Sequence, residues 1–186
     1  GAMKALASGA FEKVISVEVN RELVDRAQEN FRLPIAAGLL QIVHGDSANL
    51  GEHIRDLAHP VTFFLDAHGH WVQERRAAAG RAPAVEAEEA GEAAEAADDD
   101  ADPASSSPCP LLEELEAIRR HPLARQHTIL IDDRRCMQPE WVHPTQSWWR
   151  GLDEETVLQK LREINPDFNI SFIDGLLPGD IIAAIP

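Results

Sequence analysis

Val14-Ile15-Ser16-Val17-Glu18, Val61-Thr62-Phe63-Phe64-Leu65-Asp66 and Thr128-Ile129-Leu130-Ile131-Asp132-Asp133 are short apolar, β-branched runs that each end in a carboxylate. A continuous run of this kind reads as a strand buried on both faces, as in a parallel sheet covered by helices. In open α/β sheets ligands bind at the carboxyl ends of the strands, where these acids would stand. Three such strands in one chain describe the rim of a site.

Helix and strand signals alternate outward from these runs. Asn20 is a good N-cap for a helix with Leu23, Val24, Ala27 and Phe31 on one face. Leu39–His44 reads as a strand leading into Gly45-Asp46-Ser47, and a polar helix is expected around Gly51–Ala58. Leu111, Leu115 and Ile118 recur at i, i+4 and i+7, behind Pro110, which suits a helix's first turn. Asp153 caps a helix carrying Val157, Leu158, Leu161 and Ile164. The strands Phe168–Ile173 and Asp180–Ile185 are joined closely enough to form an antiparallel hairpin. This order predicts an α/β fold: a doubly wound, mostly parallel sheet with helices on both faces and an antiparallel C-terminal edge.

The 186 residues suffice for one domain, residues 3–186, with Gly1 and Ala2 read as the scar of a cleaved tag. Within it, Ala77–Pro108 changes to Ala, Glu, Asp, Ser and Pro, with nine acids against Arg81 alone. Such a segment buries too little apolar surface to offset its ordering entropy, so a disordered insertion is expected; a tail for a basic partner is the alternative. It carries more than half of the formal charge of −15. The acidity and the lack of a Lys/Arg stripe argue against a nucleic-acid partner. Cys109 and Cys136 alone form neither a disulfide framework nor a zinc ribbon, which suggests a reducing compartment. No apolar run approaches the roughly 20 residues of a membrane span, so a cytoplasmic protein without a membrane partner is the expectation.

Taken in order, Lys13–Glu18, His44-Gly45-Asp46-Ser47, Phe64-Leu65-Asp66-Ala67-His68, Cys109-Pro110-Leu111-Leu112-Glu113-Glu114-Leu115 and Ile129-Leu130-Ile131-Asp132-Asp133-Arg134 resemble class I S-adenosylmethionine-dependent methyltransferases. The resemblance covers nearly all of the chain outside the insertion. It implies a Rossmann-like fold, S-adenosylmethionine as cofactor and a small-molecule substrate. Glu18 would accept hydrogen bonds from the cofactor ribose; its alternative is an acid at a helix start. Gly45, Asp46 and Ser47 would form the turn contacting adenine, a Gly-Asp-Ser sequence that equally suits an N-cap. Asp66, Asp132 and Asp133 resemble the divalent-metal set of catechol-type and sugar O-methyltransferases, with Mg²⁺ holding substrate oxygens and Asp66 also beside the cofactor. Clustered carboxylates need compensation, and Arg134 and Arg135 offer ion pairing as the alternative to a metal.

Asp66, His68 and His70 alternate, so an extended continuation would place them on one face. His68 is the candidate general base beside Asp66; a zinc site from the same three residues is arithmetically open, though no further Cys or His pair supports it. Trp141, Trp148 and Trp149 offer either a substrate-facing lid or packing against the sheet.

The family's first strand and glycine-rich loop have no counterpart, and Lys4-Ala5-Leu6-Ala7 resembles the tail of the helix after that loop. Cofactor affinity is therefore expected to be poor unless another segment substitutes. The strands flanking the absent one would either pair directly or keep unsatisfied ladder groups, and an open edge favours pairing of two copies as a homodimer. Three functions follow: a metal-assisted O-methyltransferase, a catalytically inactive scaffold of the same fold, or a metal-dependent hydrolase with His68 as base.

Overall fold

The computed structural model describes residues 2–66, 109–141, 149 and 151–186. The expected insertion at 77–108, together with His68, His70 and Trp148, lies outside them. Among the described residues the fold is mixed α/β, and no helix is long and apolar enough to cross a membrane.

A short helix, α1 (Ala2–Ala7), precedes strand β1 (Val14–Glu18). Helix α2 (Arg21–Asn30) starts where the Asn20 side chain accepts the Leu23 N–H at 3.1 Å. The predicted apolar face is thin, since Val24 is buried while Leu23 is 43% exposed. After α3 (Arg32–Ala36) comes β2 (Leu40–His44), then a 3₁₀ turn over Ser47–Asn49 and α4 (Leu50–Ile54). Strand β3 (Thr62–Leu65) ends one residue before Asp66.

Beyond the insertion, α5 (Leu111–Arg120) buries Leu111, Leu115 and Ile118, the three positions that the periodicity singles out. A 3₁₀ turn over Ala124–Gln126 leads into β4 (Thr128–Ile131), and another over Arg134–Met137 follows the two aspartates. Asp153 caps α6 (Glu154–Ile164) by accepting the Thr156 N–H at 2.7 Å. Strands β5 (Asn169–Ile173) and β6 (Ile181–Ile185) form the expected antiparallel hairpin.

The single sheet expected from the sequence is instead two. Strands β1 and β2 form a parallel pair, and the other four run in the order β3-β4-β6-β5, with β3 parallel to β4 and β6 antiparallel to both of its neighbours. Of the two outcomes expected around the absent strand, direct pairing does not occur, because β1 and β3 belong to different sheets. Both are edge strands, which also corrects the expectation of burial on two faces. Ile15 is 47% and Phe64 46% exposed, and β3 alternates exposed with buried along its length. Strand β4, flanked on both sides, comes closest to the expected burial, with Ile129 and Ile131 inside.

The main core lies between the four-stranded sheet and helices α4, α5 and α6, and gathers Ile54, Leu115, Ile118, Ile129, Leu161 and Ile182 among others. Each such side chain taken fully from water contributes about 1.5–3 kcal/mol. Leu50 and Ile54 of α4 join this same cluster, and α4 packs on α5, so the segment after β2 is anchored to the larger sheet. Strand β4, held between β3 and β6 with Ile129 and Ile131 buried, carries its terminal aspartates at the edge of this core.

Candidate functional site

Parallel pairing of β3 with β4 sets Leu65 opposite Ile131, and the Asp132 N–H donates to the Leu65 carbonyl at 3.0 Å. The next residues, Asp66 and Asp132, therefore leave neighbouring strand ends side by side. Both line a small cleft whose wall includes Cys109, Glu114 and Trp149. Burial raises the Asp132 carboxyl above the ordinary range, and the negative charges of Asp66, Asp133 and Asp180 push it the same way. The Asp133 N–H, donated to Asp132 Oδ1 at 2.9 Å, opposes that rise without cancelling it.

Asp133 is directed elsewhere by its backbone. Its φ of 58° is left-handed, a conformation that Asp tolerates better than most residues. Its carboxylate is 2.7 Å from Arg135 Nη2. Arg135 also pairs through Nη1 with Asp180, which is buried at the start of β6, and donates its backbone N–H to the same carboxylate. One guanidinium thus faces two buried acids. Arg134 turns outward of this pair: its Nε lies 2.6 Å from Glu154, its Nη1 donates to the Gly179 carbonyl, and its guanidinium sits 3.8 Å above the Phe172 ring.

One carboxylate oxygen from each of Asp132, Asp133 and Asp180 lies within 4.8 Å of the others. The metal set implied by the resemblance is therefore rearranged. Asp66 and Asp132 share the cleft, whereas Asp133 and Asp180 are compensated by Arg135. Oxygen donors of this kind suit a hard divalent cation such as Mg²⁺. The acidic oxygens close enough to share one are those of Asp132, Asp133 and Asp180, while Asp66 lines the same cleft as Asp132. Asp133 shares one carboxylate oxygen with Arg135 at 2.7 Å.

The other expected site residues stand on the two-stranded sheet. Glu18 Oε1 accepts the Asn20 N–H at 2.9 Å, which is helix-start chemistry. Asp46 caps the following 3₁₀ turn by accepting the Ala48 N–H at 2.9 Å, and Ser47 opens that turn. At Gly45 a side chain would come within 2.9 Å of the His53 ring, so that ring would have to shift to admit one. Trp149 is buried and lines the cleft, while Trp141 lies under Arg135, with 5.3 Å from guanidinium to ring.

Two buried acids were not singled out from the sequence. Glu114 is only 2% exposed and falls on the apolar face of α5, at i+3 from Leu111 and i−4 from Ile118, so a periodicity reading contains the signal. Asp180 could have been found from the predicted hairpin, since a strand antiparallel to β4 begins beside the end of β4. No protein-family model, curated protein or solved structure matches this chain.

Proposed function

We propose that this chain is an S-adenosylmethionine-dependent methyltransferase domain that transfers a methyl group to an oxygen of a small molecule, assisted by a divalent cation at Asp66 and Asp132. The observation that carries the reading is the meeting of these two acids at the ends of adjacent parallel strands, with the Asp132 carboxyl raised by burial and by its acidic neighbours. A perturbed carboxyl that lines a cleft is a functional-site candidate.

The reading requires the pair β1–β2 to stand beside β3 with one strand position open between β1 and β3, although the two belong to separate sheets here, so that Glu18, Asp46, Asp66 and Asp132 would lie along one rim. Glu18 keeps a second carboxylate oxygen beyond the one that takes the Asn20 N–H, which is the acceptor a ribose hydroxyl needs.

In this reading Asp66 and Asp132 hold the cation, which when bound lowers the pKa of a coordinated hydroxyl. Asp132 is positioned by the Asp133 N–H, and Arg135 fixes the turn that carries both. Leu65, Leu111, Ile131 and Trp149 furnish apolar wall around the acids. His68 would serve as the base that takes the hydroxyl proton.

The pairing of Arg135 with Asp133 and Asp180 favours a second reading, in which the acids are structural and the domain is a non-catalytic scaffold. Incubation with methyl-labelled S-adenosylmethionine, Mg²⁺ and a panel of hydroxylated small molecules separates the two. Labelled product that disappears on chelation supports transfer; a folded protein without turnover or cofactor binding at millimolar concentration supports the scaffold.

A further inference from the structure

At the opposite ends of β3 and β4 from the acids, two buried histidines form a hydrogen-bonded chain whose proton positions can be worked out. The Val61 N–H donates to His127 Nδ1 at 3.1 Å, so that nitrogen carries no proton. The neutral ring of His127 then holds its proton on Nε2, which lies 2.9 Å from His121 Nδ1 and donates to it. His121 Nδ1 also receives the Leu123 N–H at 3.2 Å, which puts the His121 proton on Nε2. That buried Nε2 has no hydrogen-bond partner among the described residues.

His127 is fully buried and His121 is 7% exposed. The Phe63 ring meets His127 edge-on, with 5.1 Å between centroids. His121 is the ionisable neighbour that acts on His127. The ionisable groups carried by the adjoining segments are Arg119 and Arg120 at the end of α5, Arg125 in the following turn and His59 ahead of β3. These are basic, and Arg119 and Arg120 are tied to Glu116. The end of α6, whose Asn165 donates to the Arg125 carbonyl, brings the acids Glu163, which acts on Arg119, and Asp167.

We propose that the His121–His127 pair is an acid-sensitive latch that pins the amino end of β3 to β4 and to the end of α5. A proton taken up by His127 lands on Nδ1 and turns it from acceptor to donor against the Val61 N–H. The two donors repel, the start of β3 is released, and the strand that carries Asp66 loses its fixed register at one end. The latch depends on neutral rings whatever the site at the far end binds, so it stands apart from the proposed methyl transfer.

Burial, with His121 second, lowers the His127 pKa from 6.5 to about 4. A His whose folded pKa is depressed stabilises the closed form above its unfolded pKa, and that stability is lost as pH falls from 6.5 towards 4. Between pH 7 and pH 5 the equilibrium for opening should rise roughly twentyfold if His127 regains its ordinary pKa in the open form.

Amide hydrogen exchange of Val61 and Phe63, corrected for intrinsic rates, tests this at pH 7 and pH 5 on the wild type and on His127→Asn. The Asn oxygen can still accept the Val61 N–H but does not titrate. The expected result is a roughly twentyfold loss of protection in the wild type and a pH-independent value in the variant. A wild type whose protection is unchanged, or a variant with the same loss, overturns the proposal. Should His127→Asn fail to fold, ring-nitrogen NMR of the wild type decides: His127 titrating near 6.5 while Val61 stays protected overturns it, and titration near 4 together with loss of Val61 protection upholds it.

Discussion

Replacing Asp132 by Asn should make the protein more stable at neutral pH. The carboxylate lies within 4.8 Å of both Asp133 and Asp180, and two unit charges that far apart repel by about 3.5 kcal/mol at an effective dielectric of 20. Arg135 faces the same two acids and cancels much of this, so the net gain is expected to be about 1 kcal/mol. Asn retains the oxygen that accepts the Asp133 N–H, so packing and hydrogen bonding are kept. The sign follows from the direction of the shift. A carboxyl whose folded pKa is raised costs stability where it is ionised, and that cost vanishes as pH falls below its unfolded value. Urea denaturation of both proteins should therefore show the variant ahead at pH 7 and level with the wild type near pH 3.5. A less stable variant at pH 7, or a gain that does not depend on pH, would refute the electrostatic argument.

Arg135→Ala removes the cation shared by Asp133 and Asp180 and should cost about 3–5 kcal/mol, because buried carboxylates lose their partner; a loss under about 1 kcal/mol in the same urea assay would show that the pairing is incidental. Leu161, fully buried at the contact of α6 with the core, should cost about 2–5 kcal/mol when cut to Ala, read as a shift in urea midpoint at constant slope; a loss inside the noise would mean that α6 is not packed as described.

The strands were legible because each is a compact apolar run bounded by turn residues, and the caps at Asn20 and Asp153 were legible because capping is local chemistry. The side-by-side placement of Asp66 and Asp132 follows once β3 and β4 pair in parallel, since parallel neighbours bring their carboxyl ends together. Lateral partners were harder to read. Nothing in Val14–Glu18 or Thr62–Leu65 says what lies on their free edges, so one expected sheet became two. Asp133 follows Asp132 immediately, yet its left-handed backbone sends the carboxylate to Arg135. Glu18 and Asp46 show the limit of motif reading: an acid after a strand satisfies the nearest backbone N–H whether or not a ligand comes, and here both do.

A divalent cation held by Asp66 and Asp132 is the central proposal for this domain. Calorimetric titration of Mg²⁺ into the folded wild type, with Asp132→Asn alongside, measures that directly. A saturable heat in the wild type that disappears in the variant is the predicted result. No heat in either, or equal heats in both, would contradict the claim and leave the acids with a structural role.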